Sequence, residues 1–193
     1  MKKLKCPYKT IKSELVSGNS WWKHKEDIFE LPNGDIGTYN YIETMSKHSV
    51  IVIPKYYKDK DEFLMIYQYR YLFDKYCIEF PGGFVDPNIY DPVDYAENAN
   101  NELREETGFS AMCLSELGEM IPYKGISTEI SYVYLLEHLC YNPLPPEKTE
   151  FCELLVLSSK QINRLIELNK ITDMFTISAW KMYEEYAKNK NNC

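Results

Sequence analysis

The stretch Asn101-Glu102-Leu103-Arg104-Glu105-Glu106-Thr107-Gly108-Phe109, with Pro81-Gly82-Gly83 upstream of it, decides how this chain is interpreted. Glu102, Glu105 and Glu106 lie at i, i+3 and i+4, so a helix places the three carboxylates on one face. Each like-charge pair at this spacing destabilises the helix by roughly 0.2–0.5 kcal/mol unless a cation lies between them. Mg²⁺ prefers a few carboxylates together with the phosphate oxygens of a substrate. The stretch therefore indicates either a Mg²⁺ site or a solvated acidic face.

Composition places the chain among soluble globular proteins. Its 193 residues suffice for one domain of ordinary size with a small appendage, and 45% are hydrophobic while 26% are charged. The net charge of −7 disfavours sequence-independent binding to nucleic acid phosphates. A nucleotide ligand remains compatible with this charge, because a bound metal inverts the local field. We therefore expect no nucleic acid partner.

The cysteines and the apolar runs indicate a cytoplasmic protein. The six cysteines are scattered, with no C-x-x-C pair, so zinc sites and disulfide frameworks are not expected. Met1–Lys5 resembles the start of a signal peptide, but polar residues follow it. Val50–Ile53 is the longest purely apolar run and is too short to span a bilayer. We expect reduced thiols, a cytoplasmic location and no membrane partner.

The N-terminal part predicts a loose arm followed by a hairpin. Residues 1–20 are rich in Lys and Ser without periodicity and are expected to be loosely held. Pro32-Asn33-Gly34-Asp35 is a turn signal in which Asn-Gly favours positive φ at both central positions. Because Ile36–Ile42 is rich in β-branched residues and Tyr, the two flanking segments are predicted to pair.

The remainder predicts short strands with interleaved helices, and hence α/β or α+β layering. The predicted strands are Val50–Ile53, Phe63–Tyr69, Tyr76–Phe80, Ile130–Glu137 and Leu154–Leu157. The central helix is predicted to begin at a cap formed by Asp91, with Pro92 at its first position, and to run to about Thr107 before Gly108. Two further helices are predicted over Gln161–Asn169 and over Phe175–Lys188, the second capped by Asp173.

The glycine pair and the acidic helix together resemble the Nudix box, G-x5-E-x7-R-E-U-x-E-E-x-G-U, in which a loop–helix–loop holds Mg²⁺ against a pyrophosphate. The chain departs from that pattern in three ways. Gly83 to Asn101 spans eighteen positions, where the family has fourteen. Asn101 occupies the place of the box arginine, and Val93 that of the middle glutamate. The resemblance implies a divergent box that keeps its metal-carrying glutamates.

The resemblance extends from about Trp21 to Tyr186 and indicates the ADP-ribose pyrophosphatase-like subgroup of the Nudix hydrolases. It implies a Nudix α/β/α sandwich over residues 46–193. Residues 1–45 would form an arm and a small antiparallel β-subdomain for dimerisation and base stacking. The matching motifs are Gln68-Tyr69-Arg70, Ile78-Glu79-Phe80-Pro81-Gly82, Gly125-Ile126-Ser127-Thr128-Glu129, Glu150-Phe151-Cys152-Glu153, and Ile171-Thr172-Asp173 with Thr176 and Ala179.

The resemblance also implies roles for individual residues. The metal ligands would be the carbonyl of Gly82 with Glu102 and Glu106, and Glu105 would complete the carboxylate cluster as a catalytic residue. Glu150 would be the glutamate that activates water, with Glu147 and Glu153 as competitors for that role. The implied substrate-binding residues are Arg70, Glu79, Glu129, Trp21 and Tyr39.

Three of these assignments have alternative interpretations. Arg70 would suit phosphate oxygens through its guanidinium fork. The alternative, a surface ion pair, is disfavoured because the neighbouring motif residues also match. Glu79 would either position substrate or brace the loop. Trp21 is favoured over Trp22 as a stacking residue, although aromatic residues make up 15% of the chain and most of them pack.

The resemblance implies a Mg²⁺-dependent hydrolase, with Mn²⁺ as a possible substitute, that acts as a homodimer on a nucleoside diphosphate sugar. The expected substrate is ADP-ribose, which gives AMP and ribose 5-phosphate. One alternative is a pyrophosphatase for ADP- or GDP-sugars. A second is a catalytically weak domain that binds a nucleotide as a sensor or partner module, because the box arginine and glutamate are missing.

Overall fold

The structure is a computed structural model that describes residues 6–57, 60–85, 94–145 and 151–191. Two groups of predictions lie outside these residues. The first is the start of the central helix at Asp91 and Pro92, with Val93 as the counterpart of the box glutamate. The second is the pair of loop glutamates Glu147 and Glu150.

The chain divides into two compact units, of which the first comprises Met1–Lys47 and Tyr123–Glu129. The first unit holds a three-stranded antiparallel sheet in the order β1-β2-β3. Its strands are β1 (Lys9–Gly18), β2 (Trp22–Glu30) and β3 (Ile36–Thr44).

The hairpin between β2 and β3 is confirmed, but its turn differs from the prediction. Gly34 has a φ of 90°, and its N–H donates to the carbonyl of Leu31 at 2.9 Å. Asn33 keeps a negative φ, so the expectation of positive φ at both central positions is wrong. The side chain of Asn33 instead bonds Asp35, donating to its carboxylate at 2.7 Å and accepting from its N–H at 3.2 Å. Those bonds stabilise a wider turn.

The prediction of a loosely held arm over residues 1–20 is wrong for β1. Lys9–Gly18 is a strand paired along its length with β2, although all of its side chains are exposed. The register shifts between Thr10 and Lys12 and again between Leu15 and Ser17. Each β-bulge inserts one extra residue and so disrupts the two-residue alternation by which a strand is read from sequence.

The second unit comprises His48–Pro122 and Ile130–Cys193 and contains two sheets. In the mixed sheet β7-β4-β9-β8, β4 and β9 are parallel and the other pairs are antiparallel. The second sheet, β10-β5-β6, is antiparallel. The strands are β4 (His48–Pro54), β5 (Glu62–Arg70), β6 (Lys75–Glu79), β7 (Gly82–Phe84), β8 (Phe109–Met120), β9 (Ile130–Tyr141) and β10 (Cys152–Ser158). The helices are α1 (Tyr95–Thr107), α2 (Ser159–Glu167) and α3 (Met174–Asn191), with a 3-10 turn at Tyr71–Phe73.

Helices cover both faces of the central strands β4 and β9. Val50 and Val52 of β4 pack with Ala99 and Leu103 of α1. Ile51 and Ile53, which point to the opposite face, pack in a second cluster with residues of α2 and α3, including Ile162, Ala179 and Trp180. The fold is therefore the predicted α/β/α sandwich, and the predicted antiparallel N-terminal β-subdomain is also present.

The residues at the two ends of α1 determine where the helix that carries the three glutamates begins and ends. The helix begins at Tyr95, and Asp94, whose side chain accepts from the N–H of Glu97 at 3.0 Å, is its N-cap. The prediction that Asp91 caps this helix is therefore wrong, because the cap lies three residues later in the chain. Gly108 has a φ of 78° and ends the helix as predicted. The chain continues directly into β8, a strand that the sequence did not predict. No helix in the described ranges is long and apolar enough to cross a membrane.

Candidate active site

The turn after β6 meets the C-terminal half of α1. The N–H of Gly82 donates to Oε2 of Glu106 at 2.9 Å, and Glu106 is buried. The carbonyl of Pro81 accepts from the N–H of Val52 at 2.9 Å, which ties the same turn to β4. A Cβ at position 82 would overlap the carbonyl oxygen of Val50, so this close approach requires glycine.

Glu102 lies against the next glycine. A Cβ at Gly83 would lie 2.7 Å from both carboxylate oxygens of Glu102, so the carboxylate occupies space that only glycine leaves free. Glu102 and Glu106 are one helical turn apart and both meet the β6–β7 turn. The structure thus brings together four of the residues singled out in the sequence: Gly82, Gly83, Glu102 and Glu106. Glu105 lies on the same helix and is partly buried.

The donor set at this turn fits Mg²⁺. Two carboxylates beside the main chain of a glycine turn offer hard oxygen ligands. Within the ranges that the structure describes, no group of three or more His, Cys, Asp or Glu side chains is arranged to hold a metal ion. A Mg²⁺ ion here would complete its coordination with water and substrate phosphates, as this ion commonly does.

Arg70 and Glu79 form an ion pair on adjacent strands of the β10-β5-β6 sheet. Nε of Arg70 donates to both carboxylate oxygens of Glu79, at 2.9 and 3.2 Å, and Nη2 also pairs with Oε2. The Glu79 side chain is only 8% exposed, whereas that of Arg70 is 42% exposed. The ion pair matches the charge of the buried Glu79 carboxylate, and a buried carboxylate is stable when its charge is matched. The same contacts leave part of the guanidinium open to solvent.

Glu106 and Asp173 also act on Arg70. Hydrogen bonding to Glu79 raises the pKa of Arg70 against the effect of burial, and the negative charges of Glu79, Glu106 and Asp173 raise it further. Arg70 therefore interacts electrostatically with Glu106 on α1 as well as with Glu79.

Two contacts in this region were not anticipated from the sequence. The thiol of Cys152, at the start of β10, donates to the carbonyl of Glu106 at 3.3 Å. The N–H of Phe80 donates to Oγ1 of Thr176 at 3.0 Å, across 96 residues of sequence. The sequence motif I-x-D-x-x-T-x-x-A pointed to Thr176. Cys152 occupies the variable position of the E-F-x-E motif, so the sequence did not single it out.

One further candidate residue of the second unit, Glu153, lies on the edge strand of the β10-β5-β6 sheet. Glu153, a competitor for the base, lies on β10 and is exposed, opposite Tyr67 of β5. Glu150 and Glu147 lie outside the described residues.

The first unit holds the other three predicted residues. Trp21 is 62% exposed in the turn between β1 and β2, and Tyr39 is 45% exposed on β3. The hydroxyl of Tyr39 donates to the carbonyl of Gly125 at 3.1 Å, which brings β3 to the predicted motif loop. Glu129, at the end of that loop, is buried, and its N–H donates to Oγ of Ser127 at 3.2 Å.

A cavity of about 370 Å³ lies in the first unit. Trp22, Lys23, Met45 and Lys47 are among its lining residues, and Trp21 is not. Hydrogen bonding to Lys47 lowers the pKa of Glu43, another lining residue.

Two known proteins are similar to this chain over most of its length. An ADP-ribose pyrophosphatase of Bacillus subtilis (strain 168) is 28% identical over 174 residues, and a methanol dehydrogenase activator of Bacillus methanolicus is 27% identical over 173 residues. Each alignment covers 89% of both chains.

A solved structure described as the crystal structure of ADP compounds hydrolase matches the fold with a TM-score of 0.84. The match covers 100% of both chains at 20% identity, a level that shows the fold alone. The NUDIX domain family model matches residues 46–179, well over half of the chain. The chain belongs to the NUDIX family.

Proposed function

We propose that this protein hydrolyses the pyrophosphate bond of ADP-ribose, or of a related nucleoside diphosphate sugar, with Mg²⁺ or Mn²⁺ as cofactor. The observation that carries the proposal is the contact of Glu106 with the Gly82 amide, beside Glu102 packed on Gly83. The ADP-ribose pyrophosphatase of Bacillus subtilis, similar over most of both chains, supports the choice of substrate. From ADP-ribose the products are AMP and ribose 5-phosphate.

Glu102 and Glu106, with the carbonyl of Gly82, are the proposed ligands of the metal, and Glu105 completes the carboxylate cluster. When bound, Mg²⁺ withdraws charge from the pyrophosphate and makes a nearby water more acidic. The oxygen of water attacks one phosphorus, the bridging P–O bond breaks, and each product leaves with one phosphate.

Arg70 is the proposed phosphate-binding residue. Its guanidinium is held by Glu79, which fixes the direction of the fork, and its exposed part can donate to phosphate oxygens. Because Glu79 already neutralises part of that charge, Arg70 contributes geometry as well as charge. Replacing Arg70 with Lys should therefore impair substrate binding, since an ammonium group cannot reproduce the bidentate contact.

Glu150 is the proposed general base, on the strength of the E-F-x-E motif alone. A carboxylate in reach of the attacking water can accept its proton. The variants Glu150→Gln, Glu147→Gln and Glu153→Gln, assayed in parallel, identify the base. The assignment predicts that only the first variant loses most of kcat, and a loss confined to another variant would move the role.

Trp21, Tyr39 and Glu129 are proposed to bind the nucleoside part of the substrate. The exposed rings of Trp21 and Tyr39 support this role, and stacking of an aromatic side chain on a base contributes about 1–3 kcal/mol in nucleic-acid complexes. Trp21→Ala and Trp22→Ala form a matched pair of variants. Trp22 lines the cavity of the first unit and Trp21 does not, so the two variants test different positions. A larger rise in KM for Trp21→Ala supports the assignment, and the reverse order contradicts it.

A homodimer is proposed from the surface of the first unit. Its three strands and the turn between β1 and β2 expose several large apolar side chains: Ile11, Leu15, Val16, Trp21 and Ile36. Apolar surface of this kind is stabilised by a second copy, and the bulges in β1 favour packing of faces over extension of the sheet edge. Light scattering should show a dimer at micromolar concentration, and a fully active monomer would contradict a shared site. Residues 1–45 are proposed as the dimerisation and base-stacking part, with 46–193 as the hydrolase domain.

A cytoplasmic location is also proposed. The five cysteines that the structure describes are reduced thiols rather than disulfides, which suits a reducing compartment.

A screen of nucleoside diphosphate derivatives tests the reaction itself. ADP-ribose, ADP-glucose and GDP-mannose are incubated with protein and Mg²⁺, and phosphate is measured after a phosphatase releases it from the products. The proposal expects the highest kcat/KM for ADP-ribose. Higher values for a GDP-sugar would change the substrate class, and no turnover above a Glu102→Gln, Glu106→Gln control would refute hydrolysis.

A second candidate is a nucleotide-binding partner module. The observation in its favour is the similarity to a protein named methanol dehydrogenase activator, over the same share of the chain. Calorimetry separates the two functions: a partner module binds ADP-ribose tightly without turnover, whereas a hydrolase releases AMP during the titration.

A further inference from the structure

The turn that carries Gly82 is tied to the fold at three successive residues. The N–H of Phe80 donates to Thr176 on α3, the carbonyl of Pro81 accepts from Val52 on β4, and the N–H of Gly82 donates to Glu106 on α1. The Pro81 contact comes from strand β4, and the Gly82 contact comes from Glu106, a proposed metal ligand. The Phe80 contact comes from Thr176, to which the proposed reaction gives no role.

Thr176 is held rigidly where it makes this contact. It is 1% exposed, and its own N–H donates to the carboxylate of Asp173 at 2.7 Å. Ile171 and Ala179, the apolar members of the same sequence motif, are buried in the core beside Trp180. The motif thus fixes the first turn of α3 and presents one hydroxyl to the main chain of Phe80.

We propose that Thr176 is a positioning residue for the hydrolase site. Its hydroxyl holds the amide of Phe80 and thereby sets the distance between the Gly82 turn and the carboxylates of α1. This inference rests on the proposed function for its consequence in catalysis, but the contact itself can be tested without it. Because misplacement by about 1 Å can reduce a rate a hundredfold, loss of the hydroxyl should lower kcat by roughly ten- to a hundredfold.

Substitutions at position 176 separate hydrogen bonding from packing. Thr176→Val keeps the branched shape and removes the acceptor, so the buried Phe80 amide is left without its partner. Thr176→Ser keeps the hydroxyl and removes a methyl group. Thr172→Val, in the same motif, is the matched control, because Thr172 is exposed and accepts a long contact of 3.4 Å from Lys75.

The assays measure kcat and KM for ADP-ribose, Mn²⁺ binding by calorimetry, and amide hydrogen exchange at Phe80 and Gly82. We expect Thr176→Val to lower kcat with little change in KM, to weaken Mn²⁺ binding, and to accelerate exchange at both amides. Thr176→Ser should remain within about threefold of the wild type, and Thr172→Val should match it. If Thr176→Val does not fold, Thr176→Cys, whose thiol is a weak acceptor, replaces it with the same expectations.

Three results would overturn the proposal: a valine variant with kcat within twofold of the wild type, a serine variant as impaired as the valine variant, or unchanged exchange at Phe80. Absence of hydrolysis by the wild type would refute the proposed function instead. The exchange and Mn²⁺ measurements would then still decide whether Thr176 sets the geometry of the turn.

Discussion

Alanine at position 83 should disturb the proposed metal site with little effect on the fold. The added Cβ would lie 2.7 Å from both carboxylate oxygens of Glu102, whereas ordinary contacts begin near 3.4 Å. The Glu102 carboxylate must therefore retreat by about 0.7 Å, and a displacement near 1 Å can cost about a hundredfold in rate. We expect kcat/KM for ADP-ribose to fall roughly ten- to a hundredfold, with a higher Mg²⁺ concentration at half-maximal activity.

The fold should tolerate the same substitution. The group that has to move is the end of a flexible side chain, and Gly83 does not adopt a positive φ. A compatible Gly→Ala change also reduces the entropy of the unfolded chain, which stabilises a protein by about 0.4–1 kcal/mol. The melting temperature should therefore change by only a few degrees.

Gly82→Ala provides the contrast one residue away. Its Cβ would meet the carbonyl oxygen of Val50, which is backbone in a central strand and cannot move aside. Overpacking of this kind costs about 1–3 kcal/mol, and 1 kcal/mol lowers the melting temperature by about 2–4 °C in a chain of this size. Gly125→Ala, in open space, is the control for the thermal effect of alanine itself.

The measurements are initial rates over a Mg²⁺ series and thermal melts of the three variants. The reasoning would be refuted if Gly83→Ala kept the wild-type kcat/KM and Mg²⁺ dependence. It would also be refuted if Gly83→Ala lowered the melting temperature as much as Gly82→Ala.

The other predictions concern the glutamates, the cofactor and the divergent box position. Glu102→Gln and Glu106→Gln should each abolish Mg²⁺-dependent hydrolysis with a nearly unchanged melting temperature. In the Glu106→Gln variant, the amide oxygen of the new side chain can still accept from the N–H of Gly82. Wild-type turnover by the double variant would show that the ligand assignment is wrong. Millimolar Mg²⁺ should raise the melting temperature, since a tenfold excess over Kd stabilises by about 1.4 kcal/mol; an active enzyme whose melt ignores Mg²⁺ would contradict this. Asn101→Arg should not raise kcat, because the sequence lacks the box glutamate that would pair with the new charge, and a large gain would identify another partner, with Glu97 one turn earlier as the first candidate.

Strands could be predicted where apolar and β-branched residues follow one another in a regular pattern, and they were missed where the strand contains a bulge. β4 was predicted from four consecutive β-branched residues that are buried on both faces. β8 was missed because its register shifts between Glu116 and Gly118, which moves the later side chains to the other face. β1 was missed for the same reason, and its exposure left no apolar stripe to detect.

Within the site, spacing along one helix could be read from sequence but pairing between elements could not. The i, i+4 spacing of Glu102 and Glu106 predicted that both carboxylates lie on one face of the helix, and in the structure both meet the glycine turn. The partner of Arg70 could not be read in this way. Arg70 is paired in register with Lys75, yet its side chain reaches Glu79 along the strand. A contact of that kind depends on the length and direction of the side chain, which a periodic sequence pattern does not predict.

The position of Arg70 bears on the divergence at Asn101. The box pattern puts an arginine on the helix beside its glutamates, and here the oxygen of Asn101 accepts from Arg104 at 3.2 Å instead. Arg104 is itself directed to the loop after β9, donating to the carbonyl of Asn142 at 2.9 Å. A positive charge nevertheless acts on Glu106, and it comes from β5 through Arg70.

The guanidinium of Arg70 pairs directly with Glu79, and the negative charges of Glu106 and Asp173 also raise its pKa. Such an excess of negative charge is unfavourable without a further cation, because like charges at close range raise one another's free energy. This balance favours binding of a divalent ion at the turn. Because the counter-charge of Arg70 reaches Glu106 from a neighbouring strand, we expect little gain in kcat from an arginine at position 101.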